Sequence, residues 1–165
     1  MIVADANVII YLVRDSSFTH LAREVHARDS HWVAPRLWQA EVLNGLLREV
    51  QAGHLGLAEA ILAASHADAV LKGRERESDP AAVLRTAHAS CITAYDACYV
   101  SLARALGVPL ITEDAQILRR CSDVARSLRA FLGAFGGPAG VRERQATYRV
   151  RSRRPARAEV PLANR

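Results

Sequence analysis

Short apolar runs alternate with helix-length stretches through most of this chain, and that alternation limits the fold more than any other feature. Met1 to Ala4 reads as a buried strand, and His31 to Ala34 as a second one closed by Pro35. Val108 to Thr112 reads as a third and Asp123 to Arg126 as a last. Between them the spacing predicts helices at Asn7 to Val13, at Phe18 to Ala27 with Leu21, Ala22 and Val25 inward, and from Pro35 to about Ala52. Proline suits the first position of a helix, and Gly53 suits the end of this one. Further helices are expected at Leu55 to Ala67, Ala81 to Ala89, Ala94 to Leu106 before Gly107, and Ala115 to Arg120, with a helical turn at Leu128 to Leu132. The charge-dense segment Lys72 to Pro80 predicts a loop. Strands that alternate with helices imply an α/β sandwich around a parallel sheet.

The 165 residues suffice for one compact domain with a sizeable core and hardly for two. The apolar runs are far short of a membrane span, and no signal-like start is seen, so a cytoplasmic location is expected. The basic excess is unevenly spread. Residues 1–135 carry 14 basic and 15 acidic residues, whereas residues 136–165 carry 8 arginines and 2 glutamates. After the breaker run GGPAG the sequence has little apolar content, which predicts a compact domain over 1–135 and a flexible basic extension over 136–165. Tyr148 among those arginines would suit weak contact with RNA, although a solvated tail without a task fits equally. Cys91, Cys98 and Cys121 form no CxxC pair and the six histidines are scattered, so a zinc site is not expected.

Four acids lie far apart in sequence: Asp5, Glu41, Asp96 and Asp114. Asp5 ends the first strand, with Asn7 two residues on, at the carboxyl edge of the sheet where ligands of parallel α/β folds bind. The alternative is that Asp5 or Asn7 caps the following helix. Asp96 opens a helix that is apolar nearly all round, with no Lys or Arg within a turn of it, so burial would demand a partner. A capping pair with Thr93 is its alternative. Asp114 follows the strand that ends in Thr112, and period two puts Thr112 and Asp114 on one face and Glu113 on the other. Capping competes there as well. Glu41 falls away from an apolar stripe of Val42, Leu43, Leu46, Leu47 and Val50, with Asn44 and Arg48 near its side, and by itself reads as surface. Convergent carboxylates repel one another unless a hard cation sits among them.

The order of these elements resembles the PIN-domain nucleases, and more narrowly the VapC-type toxins of bacterial toxin–antitoxin pairs. The resemblance runs over about residues 1 to 135. It rests on D-A-N near the N-terminus, a mid-helix Glu near residue 40, and above all the stretch from Tyr95–Asp96–Ala97 through L-G-V-P-L-I-T to Asp114. It implies a three-layer α/β/α fold and an acidic cluster of Asp5, Glu41, Asp96 and Asp114 around Mg²⁺ or Mn²⁺, with Asn7 and Thr112 in support. It also implies endoribonuclease activity on structured RNA and a homodimer inhibited by a cognate antitoxin. The charged 72–80 segment and the arginine tail depart from the compact family pattern. Other readings are a non-toxin RNA-processing nuclease of the same type and a non-catalytic RNA- or partner-binding module. A haloacid-dehalogenase-like phosphatase would need an acid where Asn7 stands, and a receiver domain would need a lysine after a late strand, whereas Lys72 is the only lysine.

Overall fold

In the computed structural model, the described residues are 1–134. In chain order they form β1 (Ile2–Ala4), α1 (Ala6–Val13), α2 (Thr19–Arg28), β2 (Trp32–Pro35), α3 (Trp38–Gln51), α4 (Leu57–Leu71) and β3 (Glu75–Arg76). There follow α5 (Pro80–Ser90), α6 (Ala94–Leu106), β4 (Leu110–Ile111), α7 (Ala115–Arg120), β5 (Ala125–Arg126) and α8 (Leu128–Gly133). The strands make one parallel sheet in the order β3-β2-β1-β4-β5, flanked by helices, so the expected α/β class holds. Every residue of β1, β2 and β4 is buried, as strands covered on both faces must be. From β1 the chain moves one way along the sheet to β2 and β3, and from β4 it moves the other way to β5. The seam between β1 and β4 is therefore a topological switch point, and a crevice opens beyond the carboxyl ends of the strands there.

Two expectations about this end of the sheet need correction. Pro35 does not start a helix. It is the last residue of β2, in register with Arg76, and α3 begins three residues later at Trp38. Proline drives the residue before it toward extended backbone, which favours continuing the strand through Ala34. The segment 72–80 is not all loop either. Glu75–Arg76 adds a short parallel edge strand beside β2, while Asp79 caps α5 and Pro80 occupies its first turn. Helix α6 is defined at both ends, by the Thr93 hydroxyl that accepts from the Asp96 amide and by Gly107 in the left-handed conformation (φ 64°). No helix among the described residues is long and apolar enough to cross a membrane. The expected basic extension from Gly136 onward lies outside the described residues.

The core joins the buried faces of the helices to the sheet. In α3 the buried seam is Trp38, Val42 and Leu46, whereas Leu43 and Leu47 are about half exposed. The apolar stripe expected over 42–50 was therefore centred about one residue too far along. That offset places Glu41 at the edge of the buried face, not on open surface. At Gly45 a Cβ would stand 2.4 Å from Ile10 Cδ1, so the end of Ile10 fills the space of the missing side chain where α1 meets α3.

Candidate active site

An open cleft of about 600 Å³ lies at the switch point, with α1, α3 and the starts of α6 and α7 around it. Asp5, Asn7, Glu41, Asp96 and Asp114 all line it, together with Asn44, Arg48 and Tyr95. The four acids come from four separate segments, and each is held by a different device. Asp5 sits at the N-cap position of α1, yet its side chain makes no cap bond. Its Oδ2 instead accepts from Asn7 Nδ2 (2.9 Å) and Thr112 Oγ1 (2.5 Å). Asn7 likewise does not cap α1. It turns its amide to Asp5 and, at 3.3 Å, to Thr112.

Thr112 is fully buried behind the cleft and ties two acids together, because its Oγ1 donates to Asp5 and accepts from the Asp114 amide (2.9 Å). Asp114 caps α7, with Oδ1 accepting from the amides of Gln116 and Ile117 at 2.8 Å each. Capping and cleft lining coexist there, since both cap bonds fall on one carboxylate oxygen. Glu113 points elsewhere and accepts from the Leu128 amide (2.8 Å), so the two neighbouring acids diverge as period two requires. Asp96 is not buried, contrary to the inference from its apolar helix. It is half-buried at the helix start, and its Oδ2 accepts from the Thr93 hydroxyl (2.8 Å). The apolar residues of α6 bury the faces beyond it, and the first turn protrudes into the cleft.

Glu41 is half-buried and accepts a 2.5 Å hydrogen bond from the Tyr99 hydroxyl of α6. Sequence reasoning overlooked Tyr99. Its signal was present, because a tyrosine on the buried side of an apolar helix needs a partner for its hydroxyl. Arg48 and Asn44, which the sequence puts near the side of Glu41, both line the same cleft.

The electrostatics follow first from burial. Burial pushes the Asp5 carboxyl up to about 7, with the charges of Glu41 and Asp96 adding to the rise, against the opposing hydrogen bonds from Thr112 and the Ala6 amide. Glu41 is also raised, first by burial and then by Asp96, while the Tyr99 hydroxyl acts to lower it. Arg48 is the only cationic side chain lining the cleft, and no acid lies within ion-pairing distance of it among the described residues. The donor set of hard carboxylate oxygens with no thiol or imidazole suits Mg²⁺ or Mn²⁺. Among the described residues no group of three or more His, Cys, Asp or Glu side chains stands close enough together to hold a metal ion by itself. An ion that retains several of its waters, as Mg²⁺ does, fits this open arrangement.

A family model for the PIN domain matches residues 2–122, which takes in all four acids and the whole sheet up to β4. The chain belongs to the PIN domain family. The crystal structure of PAE2754 from Pyrobaculum aerophilum superimposes with a TM-score of 0.65 at 25% sequence identity, covering 81% of this chain and 94% of that one. No curated protein matches the sequence. The resemblance drawn from the Asp5, Glu41, Asp96 and Asp114 contexts thus reaches the right family. In this PIN domain those acids share one cleft at the switch point.

Proposed function

We propose that the chain is a divalent-metal-dependent endoribonuclease and that Asp5, Glu41, Asp96 and Asp114 hold the ion, with Asn7 and Thr112 orienting Asp5. The observation that carries this reading is the convergence of four carboxylates on one cleft in which, among the described residues, Arg48 is the only lining cation. An Asp5 carboxyl pushed up to about 7 is a group in need of positive charge. When bound, Mg²⁺ or Mn²⁺ supplies Lewis acidity, making a water acidic enough to attack near neutral pH and offsetting charge at the phosphate. The chain's own residues do the rest. Arg48, whose Nε donates to the Asn44 carbonyl (3.4 Å), lines the cleft where it can meet a phosphate oxygen, and Tyr95, 67% exposed at the rim, offers a face on which an RNA base can stack. The domain responsible is proposed to span residues 1–135.

The finer reading is a toxin of a toxin–antitoxin pair that acts as a homodimer and is inhibited by a cognate antitoxin. It draws support from an apolar groove of about 500 Å³ between α3 and α4, where Leu43, Leu47, Leu57 and Ile61 are exposed. Apolar surface of that kind marks protein contact. The test uses purified full-length chain and an RNA oligonucleotide. Cleavage is expected with Mn²⁺ or Mg²⁺, and it should stop with EDTA and in Asp96→Asn. Undiminished cutting by either would sink the metal-nuclease reading. Growth arrest on expression in a bacterial host, relieved by Asp96→Asn, is the expected sign of a toxin. Normal growth alongside active RNA cleavage would leave an RNA-processing nuclease instead.

A further inference from the structure

Each acid of the cleft has a partner that fixes its carboxylate. Asp5 has Asn7 and Thr112, Asp96 has Thr93, and Asp114 has two amides of α7. For Glu41 the corresponding partner is Tyr99, and among the described residues no other group hydrogen-bonds its side chain. Tyr99 is 1% exposed, so its ring is locked in the core and its hydroxyl has a fixed address. A phenol donating to a carboxylate at 2.5 Å is a charge-assisted bond of the short, strong kind. Glu41 otherwise has a flexible side chain on the cleft edge of α3, where it would sample several rotamers. Tyr99 follows Asp96 by three residues and therefore lies on the same side of α6. One helix thus presents one acid directly and holds the other through a phenol.

We propose that Tyr99 is a positioning residue, whose buried hydroxyl fixes the Glu41 carboxylate opposite Asp96 so that both acids serve one divalent ion. The inference rests on the metal-nuclease reading above and adds to it a group that touches neither ion nor RNA. Partners that orient ligands from behind commonly change metal affinity by about 10- to 100-fold when removed.

The experiment is Mn²⁺ titration by calorimetry on the full chain, for wild type, Tyr99→Phe, Glu41→Gln and the double variant, with thermal unfolding of each metal-free protein. Tyr99→Phe removes one oxygen and keeps the ring. It should weaken Mn²⁺ binding by about tenfold, yet change the affinity of Glu41→Gln little, because the carboxylate it orients is then gone. A bond that only staples α3 to α6 would lower the thermal midpoint in both backgrounds and leave Mn²⁺ affinity unchanged, which overturns the proposal. Glu41→Asp keeps the charge but draws it back from the phenol, and it should weaken Mn²⁺ binding comparably. Unaltered affinity in that variant also overturns the proposal, whether or not Tyr99→Phe is soluble. If wild type neither binds Mn²⁺ nor cuts RNA, the metal reading falls and takes this one with it. If wild type does both and Tyr99→Phe binds Mn²⁺ equally well, only the role of Tyr99 falls.

Discussion

The two ends of α6 hold their charges in opposite ways. At the C-terminal end, Arg104 grips Asp123 with two hydrogen bonds, Nε to Oδ2 at 2.9 Å and Nη2 to Oδ1 at 3.0 Å. That guanidinium holds the Asp123 carboxyl below its usual range. At the N-terminal end, Asp96 shares the cleft with Glu41 and Asp5, none of them paired to a cation among the described residues, and Asp5 is raised to about 7. Some eight residues, or about 12 Å of helix, separate the two arrangements. An Arg–carboxylate pair is complete in itself, and it stabilises the fold modestly. A buried carboxylate beside other acids is disfavoured in its charged form, and the ion of the proposed function would offset that cost. The helix field acts in the same sense at both ends, favouring anions at the start and cations at the finish, so it does not account for the contrast. The proposed function rests on the end where charge is left unbalanced.

The largest break in this contrast should come from Asp5→Asn. In the metal-free protein the folded-state carboxyl lies above its unfolded value of 3.8. The folded state therefore binds the extra proton between about pH 4 and 7, and stability drains away as pH rises through that window. At pH 8 the penalty is on the order of 4 kcal/mol, taking about 1.4 kcal/mol per pH unit of displacement. Asp5→Asn should recover much of it at pH 8 and little near pH 4, while abolishing RNA cleavage. Urea unfolding of both proteins at the two pH values decides the matter. Equal stability at pH 8 would mean that Asp5 is not under charge stress.

A somewhat smaller change is expected from supplying the cation itself. At pH 7.5, Mn²⁺ at a hundred times its dissociation constant should stabilise the wild type by about 2.7 kcal/mol. Ligation needs deprotonated carboxylates, so the gain should shrink toward pH 5. Asp5→Asn should show little of it at either pH. Thermal unfolding with and without Mn²⁺ measures the effect. A wild type indifferent to Mn²⁺ would place the two ends of α6 on the same footing.

Much of this was legible in the sequence because it is local. The strand–helix alternation predicted the parallel sheet, and Ala115 to Arg120 was placed to the residue. Asp5 and Asp114 were read from strand ends, where period and topology leave few choices. What failed was decided by tertiary contact. Pro35 was assigned to α3 because a first-turn proline and a strand-end proline look alike in one sequence, and only the pairing of Pro35 with Arg76 separates them. Glu41 looked like surface because Leu43 and Leu47 were counted into the buried stripe, whereas they line a groove shared with α4. Asp96 reads as buried because its helix is apolar nearly all round, a pattern that says nothing about which turn of α6 lines the cleft. Tyr99 was unreadable as a partner of Glu41, since 58 residues separate them. No strand or helix period links residues that far apart.

The smallest expected effect belongs to the paired end. Arg104 and Asp123 are 36% and 58% exposed, so solvent screens most of their attraction, and pairs of this kind contribute at most about 1 kcal/mol. Arg104→Ala should therefore cost less than about 1 kcal/mol at pH 7 in low salt, and less again in 1 M salt, where exposed charges are screened within a few ångströms. The sign with pH is opposite to that of Asp5. A carboxyl held below its unfolded value gives stability that is present above about pH 4 and is lost as the pH falls and the group takes up its proton. RNA cleavage and Mn²⁺ affinity should stay at wild-type values, because nothing in the cleft touches this pair. If Arg104→Ala altered Mn²⁺ affinity, the two ends of α6 would be coupled through the helix, and the separation between a charge pair that holds the fold and a charge cluster that waits for a ligand would not stand.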